Sequence, residues 1–258
     1  MKKKLFILLI LCLMFSLYAQ TFEGKGAKSP EEAAGNYIKA LKSCDYNQII
    51  NCYAVETFVE NYNLDKSMEK FNSIHPTMKM IYPNDNLLKQ TGNYEVLDWI
   101  IRNVKYQIWN LNEIDFFKNA KYVILNDNTQ EVIRQTIPSE AEERLKRIQF
   151  SNQFISIDEI LVNYVTGGFP IDISIYQEEV DDYKKAVKEY YKKTKAIYGC
   201  KNIKDVIASF SIEGREYYFF AETVQYGNKW YISPNQGFVA GILAISNQNG
   251  CIIAADEL

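Results

Sequence analysis

Residues 205–234 read DVIASFSIEGREYYFFAETVQYGNKWYISP, and this stretch decides the fold. Two turns punctuate it, Glu213 with Gly214 and Gly227 with Asn228. A glycine-containing pair between runs of β-branched and aromatic residues reads as a hairpin, because glycine accepts the positive φ of a tight turn. The turns predict strands near 204–212, 215–226 and 229–233. In the middle strand Tyr217, Phe219, Ala221 and Thr223 share one face, and Tyr218, Phe220, Val224 and Tyr226 share the other. Both faces are apolar or aromatic, whereas a sheet with one wet face alternates more cleanly. Cover is therefore expected on both sides: helices on one, and a pocket, a partner or the curled sheet itself on the other.

Upstream, residues 177–198 predict a long helix. Acids crowd its start (Glu178, Glu179, Asp181, Asp182) and lysines its later turns, which suits the helix dipole. Val180, Tyr183, Val187, Tyr190 and Ile197 fall on one stripe, and Gly199 is a natural C-cap. Asp181 with Lys185 and Glu189 with Lys193 add i,i+4 pairs on a solvated face. Ser139 and Glu142 form a capping box that opens a charged helix through Ile148. Residues 150–170 show no firm period, and Gly167, Gly168 and Pro170 mark a break. Three strands are expected before that helix: VKYQIWNL at 104–111, NAKYVILND at 119–127 and EVIRQTI at 131–137, following a short helix around Val96, Leu97, Ile100 and Ile101.

The start of the ordered chain is SPEEAAGNYIKALKSCDYNQIINCY at 29–53. Ser29 is an N-cap, Pro30 suits the first helical position and Glu32 completes a capping box. Ala33, Ala34, Tyr37, Ile38 and Leu41 make one apolar face. Asp45 caps a second helix carrying Ile49, Ile50 and Tyr53, and helical pattern continues through Phe58, Val59 and Tyr62 to Phe71. The chain must leave helix at His75-Pro76 and Tyr82-Pro83. Residues 20–28 read as a flexible lead-in; their GKGAK lacks the spacing of a phosphate loop.

Before them stands MKKKLFILLILCLMFSLYAQ, an export signal: three lysines, an apolar run from Leu5 to Tyr18 and small Ala19 at its end. The bulky Leu11 before Cys12 argues against lipoprotein processing, so the protein is expected outside the cytoplasm, periplasmic or secreted, with Gln20 first. Removing a leader that holds three of the 29 basic residues and none of the 32 acids lowers the formal charge from −3 to −6. A mildly acidic surface argues against nucleic acid and anionic membranes, which need clustered Lys and Arg. Cys44, Cys52, Cys200 and Cys251 remain; they are read either as two disulfides, Cys44 with Cys52 and Cys200 with Cys251, or as four buried thiols. No cofactor is indicated, and no metal site, since C-x-x-C is absent and His75 is the single histidine.

SPEEAAGNYIKALKSCDYNQIINCY, the pair VKYQIWNL and AKYVIL, and VQYGNKWYIS together resemble exported members of the NTF2-like, cone-shaped α+β superfamily. The resemblance spans most of the chain as a pattern, without a specific signature. It implies N-terminal helices packed on a curved antiparallel sheet around an apolar cavity, in one domain over 29–258, with an extra helical insertion around 139–175. Such folds host both enzymes and binding domains. No G-x-S-x-G elbow or H-E-x-x-H is present, and neither the pair Asp158 and Glu159 nor Asp181 and Asp182 has acid–base spacing. The leading expectation is a non-enzymatic envelope binding domain, in which Tyr217, Phe219 and Trp230 line a pocket for a small apolar ligand or meet a protein partner. The alternatives are a hydrolase or isomerase using His75 in a cavity, and an assembly protein that forms a homodimer through one sheet face.

Overall fold

The computed structural model describes residues 22–74, 85–112, 139–166, 177–235, 237–243 and 250–258. Helix α1 (Pro30–Ser43) starts as its sequence dictates. Ser29 Oγ accepts from the Glu32 amide at 3.1 Å, and Glu32 Oε2 reaches back to the Lys28 amide at 2.7 Å, one residue before the box position. Its face of Ala33, Ala34, Tyr37, Ile38 and Leu41 is buried throughout. Asp45 caps α2 (Tyr46–Asn51) by accepting from the Gln48 amide at 3.1 Å. Helices α3 (Val55–Asn61) and α4 (Leu64–Ile74) follow.

Helix α5 (Asp85–Leu111) corrects the sequence reading. VKYQIWNL is helical, continuous with the segment around Val96, and the whole is about 40 Å long at 1.5 Å per residue. Leu97, Ile100, Ile101, Val104, Ile108 and Leu111 form one buried 3.6-period stripe, and no glycine or proline falls between Leu97 and Leu111. The apparent alternation came from β-branched and aromatic residues that satisfy both periods over eight positions. The strands expected at 119–127 and 131–137, like the leader and His75, lie outside the described residues.

Helix α6 (Ser139–Leu145) ends three residues before Ile148. The expected helical insertion then departs from helix: Gln149–Ile155 is an edge strand, β1, followed by α7 (Ile157–Thr166). Helix α8 (Gln177–Tyr198) has the expected bounds. It stops at Gly199, where φ is +61° and a Cβ would lie 2.2 Å from the Asn61 carbonyl oxygen.

The expected hairpins form β2 (Asn202–Ile212), β3 (Arg215–Tyr226) and β4 (Lys229–Ile232). A short helix α9 (Phe238–Ile242) and strand β5 (Ile252–Ala254) complete the α+β fold. The antiparallel order is β1-β2-β3-β4, with β5 pairing the first half of β3. Helix α1 packs on one face of the sheet, where Tyr37 stacks on Phe219 at 4.9 Å. Helices α7, α8 and α9 cover the other, enclosing Ile207, Phe220, Ile160, Val239 and Ala240. Among the described residues, helices thus lie on both faces of the central strands.

Residues 22–27 are pinned rather than free. Glu56 accepts from the Phe22 and Glu23 amides, Glu23 caps the Thr57 amide and hydroxyl, and Ala27 exchanges backbone bonds with Trp230. These reciprocal bonds replace the water that a loose lead-in would keep.

Candidate functional site

Three segments far apart in sequence enclose a cavity of about 340 Å³. Helix α3 supplies Phe58 and Val59, α5 supplies Val96 and Trp99, and Pro234 and Asn235 close the third side. On α5 the lining positions Gly92, Glu95, Val96 and Trp99 are i, i+3, i+4 and i+7, one helix face beside the core stripe. Gly92 lets the two helices approach, since a Cβ there would meet Val59 Cγ1 at 2.8 Å. An aromatic wall backs the cavity: Phe58 lies 5.3 Å from Tyr62 and 5.1 Å from Tyr198. Trp99 is 53% exposed, so a large aromatic surface faces water at this site. Glu60, Asp65 and Glu95 also line the cavity, and no Lys, Arg or His is among the described lining residues. An apolar, aromatic floor under three carboxyl groups suits an apolar body that carries a positive charge.

Beyond Tyr198 lies a second polar cluster. Asp205 on β2 and Glu222 on β3 are direct cross-strand partners, 5% and 2% exposed. They stand on the face covered by α8 and α9. Asp205 Oδ2 accepts the Val239 amide at 3.2 Å, and its own amide donates to Tyr191 Oη at 3.0 Å. Tyr190 Oη donates to Glu222 Oε2 at 3.2 Å. Asp205 Oδ1 and Glu222 Oε1 are buried without a hydrogen-bond partner. Burial pushes both carboxyls up, and the facing Asp205 charge raises Glu222 further, against the lowering hydroxyls of Ser233, Tyr190 and Tyr198.

Among the residues expected to bind ligand, Tyr217 and Phe219 are each 2% exposed. Tyr217 stacks on Phe210 at 5.7 Å, as Phe219 does on Tyr37. Trp230 is half-buried, packs against the same core and pairs with Gln225. None of the three lines the cavity above. Cys44, Cys52, Cys200 and Cys251 are free thiols, and burial pushes them up to about 11, 12, 11 and 12. Among the described residues no three His, Cys, Asp or Glu side chains are placed to hold a metal ion, and no helix is long and apolar enough to cross a membrane.

The acid pair was legible and was passed over. Asp205 stands eight residues before Glu213, and Glu222 eight after Gly214, so a two-residue turn makes them partners. The cavity had no such local signal, because its walls meet only in the folded chain.

No family model matches this chain, and no curated protein matches its sequence. Among solved structures the chain is similar to a cystatin-like protein from Ruminococcus gnavus ATCC 29149, at 14% identity and a TM-score of 0.42. The alignment covers 87% of this chain and 44% of that one, so the chain spans less than half that protein's length.

Proposed function

We propose that this chain is an exported, non-catalytic binding domain whose cavity takes a small apolar or aromatic ligand bearing a positive charge. The observation that carries the reading is the Trp99, Phe58, Val59 and Val96 floor beside Glu60, Asp65 and Glu95, with no cation among the described lining residues. A ligand ammonium over an indole face gains about 0.5–2 kcal/mol from the ring quadrupole, beyond its apolar burial. Export rests on the Lys2, Lys3 and Lys4 start and the apolar run to Tyr18. Helix α1 lying across an antiparallel sheet supports placing the domain with NTF2-like folds, and an experimental structure with a concave sheet around that helix would test the assignment.

The binding test follows tryptophan fluorescence during titration with a benzyl-ammonium ion and with its neutral benzyl alcohol counterpart. The cation should bind about two- to thirty-fold more tightly, and Trp99→Ala should abolish both the binding and the spectral change. Equal affinity for the two probes would remove the charge from the reading. Saturable binding that survives Trp99→Ala would place the ligand elsewhere, and no binding of either probe would overturn the assignment.

A further inference from the structure

The buried acid pair is placed to bind a proton. Asp205 Oδ1 and Glu222 Oε1 are both acceptors, both buried and both without a donor. Two ionised carboxylates there would repel each other in a region that excludes water. Protonating one carboxyl removes that repulsion and turns an orphan acceptor into a donor.

The neighbouring donors are hydroxyls, and among the described residues none of them bonds Asp205 Oδ1 or Glu222 Oε1. Gly237 lies over the pair: a Cβ on it would sit 2.3 Å from Asp205 Oδ1 and 3.1 Å from Glu222 Cβ. From α8 the facing groups are the hydroxyls of Tyr190, Tyr191 and Tyr198, which burial holds far above the ordinary phenol range and so keeps neutral. Ser233 faces from the end of β4, and Tyr226 from β3. Cys200 and Cys251 are within electrostatic reach and stay protonated. From α4, Lys70 lies 5.4 Å over the Tyr190 ring. On α7, Asp158 is engaged with Lys184, and Glu159 acts on Tyr218. Beside Asp205 on β2, Lys204 pairs with Glu31. Among the described residues no Lys or Arg forms an ion pair with either carboxyl.

We propose that Asp205 and Glu222 are a proton-binding site, the pair sharing one proton at neutral pH, and that this proton closes the 237–243 segment onto the sheet. Losing it to solvent at alkaline pH leaves two facing carboxylates, which push β2 and β3 apart beneath Gly237. The protein is thereby a sensor of alkaline pH, independent of what its cavity binds. The sign follows from linkage: the folded state keeps a proton that the unfolded chain has released, so folding weakens as pH rises through the raised carboxyl values.

The test is urea unfolding of the full chain between about pH 6 and about pH 7.5, where few of the unfolded thiols are ionised. One retained proton makes the wild-type folding constant fall about tenfold per pH unit. Glu222→Gln supplies a permanent donor and should lose that tenfold component, leaving a shallower profile across the same window. A wild-type profile as flat as the variant's, or a variant as steep as wild type, overturns the proposal. Should the variant not fold, infrared spectroscopy of the wild type decides. A protonated-carboxyl band present at pH 7 and lost at higher pH supports the shared proton, and its absence at pH 7 overturns it. Hydrogen exchange should locate the opening in residues 237–243, and uniform loosening of the fold would count against closure of that segment.

Discussion

Phe219→Ala separates a packed core from a ligand pocket on the α1 face of the sheet. Phe219 is 2% exposed, stacks on Tyr37 at 4.9 Å with 23° between the rings, and is flanked on the strands by Ala208 and Ile252. Truncating a fully buried Phe costs about 3–5 kcal/mol, and losing an aromatic pair accounts for about 0.5–1.5 of that. The neighbours cannot collapse to fill the space. Tyr37 is fixed edge-on against Tyr53 at 5.6 Å and donates to Gln107, whose amide nitrogen reaches the Gly250 carbonyl at 2.7 Å. The cavity therefore persists, and the upper half of the range applies. Native domains hold about 5–15 kcal/mol in total, so the variant should remain folded but lose a large share of its margin. For a chain of this size the melting temperature should drop by about 8–20 °C, at about 2–4 °C per kcal/mol. Denaturant unfolding should give the same loss as a shifted midpoint with unchanged slope. A loss under about 1 kcal/mol would refute the reasoning, because it would mean that Phe219 already borders open space.

Two local predictions test the helix boundaries. Gly199→Ala should cost about 1–3 kcal/mol for its left-handed backbone alone, and more once the Asn61 carbonyl is displaced; thermal unfolding reads it, and an unchanged melting temperature would deny the αL cap. Ser29→Ala should cost about 1 kcal/mol and Ser29→Gly a few tenths, measured by urea midpoint, because the Glu32 amide loses its acceptor while glycine keeps the cap's extended backbone favourable.

How much of this was legible depends on whether the deciding signal was local. The hairpins were, because Gly214 and Gly227 fix both turn position and register. Helix α8 was, because its acids, lysines and Gly199 mark both ends. VKYQIWNL was not: eight residues rich in Val, Tyr, Ile and Trp fit two periods, and only packing of Ile100, Val104 and Leu111 on one stripe decides. Strand β1 was missed for the opposite reason. QFSNQFI is largely exposed, carries a register shift between Gln149 and Gln153, and holds Asn152 at φ +56°, so it lacks the alternation of a half-buried strand. The cavity depends on α3, α5 and residues 234–235 meeting in three dimensions, which no local pattern encodes. Asp205 and Glu222 are intermediate. The turn gives their pairing, and Glu222 interrupts the apolar row of Tyr218, Phe220, Val224 and Tyr226, yet their burial appears only once α8 and α9 cover that face.

That interruption is hard to attribute to stability. The row around Glu222 is otherwise apolar or aromatic, and the opposite face already holds the α1 core. A valine at 205 and a leucine at 222 would fill similar volume without desolvating a carboxyl, and buried charge pairs replaced by apolar residues are often neutral or stabilising. A fold selected for stability alone has no need of two carboxyls facing each other under Gly237. Nor does a fixed polar network need them, because Asn and Gln would offer the same acceptors to the Val239 amide and the Tyr190 hydroxyl without responding to pH. What carboxyls add over amides is the capacity to gain and lose a proton. Among the roles open to such a pair, proton binding is the one that uses that difference.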